Sequence, residues 1–124
     1  MMIEQTPKVF TFITRHAPYG RDNAFACLDM VLACAAFDQK INYLFIEDGV
    51  FQLLKNQQAS SIEHKSFSAP LAALDIYGVN NIYVDETSLM SRGLTSDDLA
   101  IEVLLISAKA SSQLVSASDV VFSL

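Results

Sequence analysis

The groups in this 124-residue chain that could do covalent chemistry are two thiols, two imidazoles and a few carboxylates. Cys27 and Cys34 stand seven apart, on nearly one stripe of any helix that carries both. The thiolate is the reactive form of cysteine, and it needs exposure and a positive neighbourhood. Phe25, Leu28, Val31 and Leu32 surround these two, with Asp29 as the nearest charge. Burial and an anion both raise a thiol pKa, so the pair reads as core packing, with a sulfurtransferase working through Cys27 or Cys34 as the rival. They do not form C-x-x-C, and two cysteines alone cannot make a zinc ribbon. His16 and His64 would allow a Ser-His-Asp arrangement, but no G-x-S-x-G elbow is present. Asp119 and the nearby serines read as caps and surface groups. Asp48, Asp85 and Lys109 resemble the acceptor set of a receiver domain. That chemistry also needs an acidic pair after strand one to hold magnesium, and Arg15-His16 would repel the metal.

The elements that must position these groups alternate. Val9 to Ile13 is a short β-rich run, followed by a turn cluster from Arg15 to Gly20. Ala24 to Phe37, with Asn23 as its cap, is apolar nearly all round and too long for a strand, so it is a helix buried on more than one face. Ile41 to Ile46 is strand two, ending in the turn Glu47-Asp48-Gly49. Val50 to Lys55 is short and partly helical, and Asn56 to Ser66 reads as a polar loop. A helix follows over Ser68 to Tyr77, stopped by Gly78, and then strand three over Asn81 to Val84. Ser88 to Arg92 is a helical turn closed by Gly93. A fourth β-rich run lies around Leu99 to Leu105, a helix over Ser107 to Ser116, and a last strand over Val120 to Phe122.

Strands alternating with helices give βαβ units, and the expected fold is one α/β domain over residues 1–124. Its architecture is a three-layer, flavodoxin-like or Rossmann-like arrangement around a mainly parallel five-stranded sheet. Such sheets bind ligands at the carboxyl ends of their strands, here Thr14 to Gly20, Glu47 to Gly49 and Asp85 to Ser88. The first loop precedes a helix N-terminus and could hold an anion, which leaves a stand-alone binder of small anions or nucleotides as another alternative. It is neither G-x-G-x-x-G nor a Walker A loop, and a tight turn with a surface histidine is the plainer reading.

Composition narrows the partners. The net charge is −6 and the pI about 4.6, which argues against direct nucleic-acid binding because such modules carry a basic face. Lys8, Arg15, Arg21 and Lys109 are too scattered in sequence to make a patch. Hydrophobic residues make up 52% and charged residues only 18%, against about 25% charged in ordinary soluble domains. Some apolar surface is therefore expected to meet a partner. No 18-residue apolar run would span a membrane, and the start lacks the pattern of a secretory signal, so the expected location is cytoplasmic.

Several stretches carry a resemblance. Pro18-Tyr19-Gly20, Leu28 to Ala33, and Leu44-Phe45-Ile46-Glu47-Asp48-Gly49-Val50-Phe51-Gln52-Leu53-Leu54 are similar to the TusC/DsrF pattern, as are Leu89 to Leu94 and Asp119 to Phe122. The D-G-V-F-Q-L-L stretch is the most specific of these. The resemblance implies a DsrE/DsrF-like fold with a parallel five-stranded sheet. It further implies a heterohexamer with TusB/DsrH-like and TusD/DsrE-like subunits, passing persulfide sulfur toward 2-thiouridine at the tRNA wobble position or into sulfur oxidation.

In sister subunits resembling TusD/DsrE the active cysteine follows strand three. Counting back from Gly93 places the matching position here at Asp85, and a carboxylate cannot carry a persulfide. The resemblance therefore transfers no catalytic residue, cofactor or metal to this chain, and implies a non-catalytic subunit. Val50, Phe51, Leu53 and Leu54 are candidate interface residues, with plain core as their alternative.

Overall fold

A computed structural model describes residues 8–18, 23–55 and 68–124. The loop expected over Asn56 to Ser66, together with Tyr19, Gly20, Arg21 and His64, lies outside the described residues. Five strands form one sheet: β1 Val9–Thr14, β2 Lys40–Phe45, β3 Ile82–Asp85, β4 Leu104–Ile106 and β5 Val120–Ser123. All neighbours pair in parallel, in the order β4-β3-β2-β1-β5. The helices are α1 Asn23–Ala36, α2 Ser68–Ile76, α3 Glu86–Ser91 and α4 Ala108–Ser116.

Side chains alternate between the faces of a strand, and the burial pattern separates the two layers. Phe12, Tyr43, Phe45 and Val84 belong to one core cluster with Cys27, Leu28 and Val31 of α1 and Leu71 and Leu74 of α2. Ile13, Leu44 and Asp85 point the other way and line a space under α4. The first face is the better filled. The Phe12 and Phe122 rings stack at 5.2 Å, and Tyr43 and Phe45 lie 4.3 Å apart. On the second face α4 has no fully buried residue. The outer side of α1 shows Ala26, Asp29, Ala33 and Ala36 to solvent, so what it leaves uncovered is mainly alanine methyl.

Among the expected boundaries that shift, two bear on the site. The 3-10 segment Glu47–Leu53 begins inside the turn expected at Glu47 to Gly49. The run expected as strand over Leu99 to Leu105 divides: only Leu104 onward joins the sheet. Its first residues turn to the 3-10 segment instead, with Leu54 and Leu99 forming an antiparallel bridge. The Ala100 N–H donates to the Leu53 carbonyl at 2.7 Å and the Lys55 N–H to the Asp98 carbonyl at 2.9 Å. Those bonds satisfy the backbone before the chain enters β4. Gly93 closes α3 as expected, at φ +70°, with the Leu94 N–H donating back to the Leu89 carbonyl at 3.1 Å.

Candidate functional site

The carboxyl ends of β1, β2 and β3 converge. Asp85 is the last residue of β3 and the N-cap of α3. Its Oδ2 accepts from the Ser88 N–H at 3.0 Å and from the Ser88 hydroxyl at 2.6 Å. Ser88 Oγ in turn accepts from the Glu47 N–H at 2.8 Å. One serine thus ties the end of β2 to the end of β3. The spacing is that of an N-cap acceptor and its third helical residue, and Asp85 followed three places on by Ser88 is the signal in the sequence that would have found it.

Glu47 sits at φ +50°, a left-handed conformation uncommon for a residue with a Cβ. Next to it, Asp48 pairs with Arg92, whose Nε and Nη2 both lie 3.0 Å from Asp48 Oδ1. Arg92 Nη1 also donates to the Ser88 carbonyl at 3.1 Å. The two carboxylates set beside each other in the receiver-domain comparison therefore serve separate anchors.

The 3-10 segment is held to β1 just as closely. Gly49 packs so near that a Cβ there would lie 2.3 Å from the Thr14 carbonyl oxygen. Buried Gln52 donates from Nε2 to Thr14 Oγ1 at 2.8 Å and to the His16 carbonyl at 2.7 Å. This fixes the described part of the first loop. Gly49 and Gln52 thereby acquire structural roles that composition and spacing had not singled out. Val50 and Leu53 are fully buried in the core, whereas Phe51 and Leu54 remain half-buried.

Over this arrangement lies a cleft of about 500 Å³ between the sheet and α4. Ile13, Leu44, Ile46 and Val115 give it apolar surface, Ser88, Ser111, Ser112 and Ser116 hydroxyls, and Glu47 and Asp85 carboxylates.

Neither thiol lines this cleft. Cys27 is fully buried on α1 and Cys34 half-buried. Burial pushes the Cys27 thiol from 9.0 up to about 11, with the Tyr43 and Thr14 hydroxyls pulling weakly the other way. Burial raises Cys34 as well. Burial first, and then Cys27 and Asp29, hold the Tyr43 phenol well above its ordinary value. Cys27 therefore stays protonated where a relay thiol would have to ionise.

The Cys27 shift has a sign in stability. Between pH 9 and about 11 the unfolded chain loses the thiol proton first, so stability is full below pH 9 and falls as pH rises through that window. The gap corresponds to at most roughly 3 kcal/mol. In urea unfolding at pH 8 and pH 10.5, Cys27→Ala is expected to lose less stability over the interval than the unmodified chain. An unchanged alkaline slope would contradict this; Tyr43 and Cys34, both raised by burial, contribute to the part that remains.

A profile of the DsrE/DsrF-like family matches residues 8–124. The chain is 41% identical over 135 aligned positions to the intracellular sulfur oxidation protein DsrF of Allochromatium vinosum, covering 98% of this chain and 99% of that one. It is 37% identical to a TusC homolog of Pseudomonas aeruginosa, over 90% of this chain and 94% of that one. A TusC homolog of Vibrio vulnificus is 40% identical over 77% of this chain and 81% of its own length. Among solved structures, the ychN protein of E. coli superposes with a TM-score of 0.80 at 20% identity, covering 96% of this chain and all of that one, a likeness of fold.

Proposed function

The chain belongs to the DsrE/DsrF-like family, and on that premise we propose that it is a non-catalytic subunit of a cytoplasmic sulfur-relay complex. The observation that carries this reading is the state of Asp85. The position matched to the sister subunit's cysteine holds a carboxylate already committed to capping α3 and holding Ser88. Sulfane sulfur moves by thiolate attack on an S–S bond, and no group at this strand end can make that attack.

In this reading the partners are TusB/DsrH-like and TusD/DsrE-like subunits, two copies of each chain making a heterohexamer. The chain's contribution is shape. Phe51 and Leu54, half-buried on the 3-10 segment, are the interface candidates, and Val50 and Leu53 support them from the core. The sulfur's destination in this proposal is 2-thiouridine at the tRNA wobble position. Cytoplasmic sulfur oxidation is the alternative, favoured by the name of the Allochromatium relative, and tRNA thiolation measured in a strain lacking this chain separates the two.

The test of the non-catalytic role is sulfur transfer by the complex reconstituted from the three chains. Cys27→Ser and Cys34→Ser are each expected to leave the rate within about twofold, since a core change without loss of a reacting group raises no chemical barrier. Loss of transfer with either variant, in a complex that still assembles, would move the chemistry onto this chain.

A further inference from the structure

The connection from β4 to β5 joins the two outer strands of the sheet, and α4 lies within it. Those strands stand about 19 Å apart, four spacings of about 4.8 Å, so α4 crosses the second face of the sheet. Little in its sequence favours a helix. Of its nine residues, Ser111, Ser112 and Ser116 are serines and Val115 is β-branched, all poorer helix formers than alanine. The first turn carries no acidic residue and the last no basic one, so no side-chain charge complements the helix dipole. An isolated helix of this length is marginal in water, and α4 therefore depends on packing. That packing is thin. Leu114 and Val115 are only half-buried, whereas α1 buries Ala24, Cys27, Leu28 and Val31. A cleft of about 500 Å³ lies between α4 and Ile13 and Leu44 of the sheet. The two ends are also held unequally. At the N-terminal end the bonds are local: Ser107 Oγ accepts from the Ala110 N–H at 3.1 Å, and the Ser107 carbonyl from the Ser111 N–H at 2.9 Å. Beyond the C-terminal end they reach β1. Ser118 Oγ pairs with Thr11 Oγ1, the Asp119 N–H donates to the Val9 carbonyl at 2.8 Å, and Asp119 Oδ2 accepts from the Val9 N–H at 2.8 Å.

We propose that α4 is a strap that unwinds and lifts locally while β4 and β5 stay in the sheet, opening the cleft at the carboxyl ends of β1, β2 and β3. Elements with few buried apolar contacts open at a lower free energy than the core they cover. The geometry lets this happen without disturbing the sheet. Nine residues span about 13 Å as a helix and about 30 Å extended, so unwinding creates slack while both ends stay fixed. The bonds of Ser118 and Asp119 to β1 hold the C-terminal end, and the N-terminal turns leave first. Opening uncovers Ile13 and Leu44, and what the strap controls is access to the strand ends, where open α/β sheets bind ligands. The inference goes beyond the sulfur-relay reading and does not rest on it. Its test reads opening rather than sulfur transfer, so the two can fail separately.

The experiment is hydrogen–deuterium exchange of the full chain, read by NMR at increasing sub-denaturing urea. The amides of Ser112, Gln113, Leu114 and Val115 are expected to exchange about a hundredfold faster than those of Leu28 and Val31 in α1. Their rates should respond weakly to urea, because a local opening exposes little surface, while the α1 rates climb steeply. The Asp119 amide, bonded to β1, should exchange with the slow group. Ser112 and Ser116 are exposed, so Ser112→Ala with Ser116→Ala raises helix propensity and leaves the core untouched. That variant should slow the α4 amides about threefold to fivefold. Exchange of the α4 amides at the α1 rate would overturn the proposal. So would Asp119 exchanging as fast as α4, which would show the whole C-terminal end peeling away as one piece. Unaltered α4 rates in the alanine variant would also overturn it, because exchange would then not pass through unwinding of the helix.

Discussion

Gly49→Ala is expected to destabilise the chain by about 3 kcal/mol or more, at the top of the range for overpacking because the atoms that would clash are backbone. A Cβ at position 49 would lie 2.3 Å from the Thr14 carbonyl oxygen, 2.9 Å from its carbon and 3.2 Å from the Arg15 Cα. None of these can move away by changing a rotamer. Relief requires the 3-10 segment to lift off the end of β1, yet the two are also joined by the Ile46 N–H donating to the Thr14 carbonyl at 3.1 Å. The Thr14 carbonyl is thus both the obstacle and an acceptor that must stay in place. In thermal unfolding the loss should lower Tm by roughly 10 °C or more for a domain of this size. A variant that melts within about two degrees of the unmodified chain would show that the segment shifts at little cost.

Gln52→Leu is expected to cost about 2–3 kcal/mol, the range for stranding buried acceptors. Leucine is similar in bulk and keeps the apolar contacts, but it removes the Nε2 donor shared by Thr14 Oγ1 and the His16 carbonyl. Thr14 and Gln52 are both fully buried, so water cannot take the donor's place without opening the structure. Urea unfolding measures the loss. Gln52→Glu gives the sign check, since it also removes the Nε2 donor and adds a carboxylate where ionisation is penalised, and should be worse than leucine at neutral pH. Equal stability of Gln52→Leu and the unmodified chain would mean that the first loop holds itself.

These two residues explain why D-G-V-F-Q-L-L was the most specific stretch of the sequence. Gly49 and Gln52 face β1, and Val50 and Leu53 face the core. Asp48 reaches Arg92, so almost every position has a distinct neighbour in space. That neighbourhood is where sequence reading stopped. The β1, β2 and β3 runs, the long helix α1 and the Gly93 stop were legible because each depends on local pattern: β-branched and aromatic runs, a long apolar stretch, a glycine at a helix end. The division of the Leu99 to Leu105 run was not, because it is decided by the Leu53 carbonyl and the Lys55 N–H, which come from another part of the chain. Of the site, the strand-end placement of Asp85 and Glu47 followed from topology alone. The left-handed Glu47 and its bond to Ser88 did not, since the Asp85–Ser88 spacing announces the cap of α3 but not the Glu47 N–H that Ser88 Oγ accepts. The burial of Cys27 was legible from its neighbours, and the polar company of Tyr43 and Thr14 was not.

The sheet order has a consequence for how the molecule is made. β1 is flanked by β2 and by β5, and the β5 side includes the Val9 N–H donating to Asp119, a contact spanning 110 positions of the chain. The other strands can assemble as 4-3-2-1 while β1 still shows a bare edge. Non-local pairings of this kind carry the largest loop-closure entropy and form late. During synthesis, the hydrophobic edge of β1 with Phe10 and Phe12 is therefore the last part of the sheet to be covered, and for that interval it is an adhesive edge open to any strand that reaches it before β5 does.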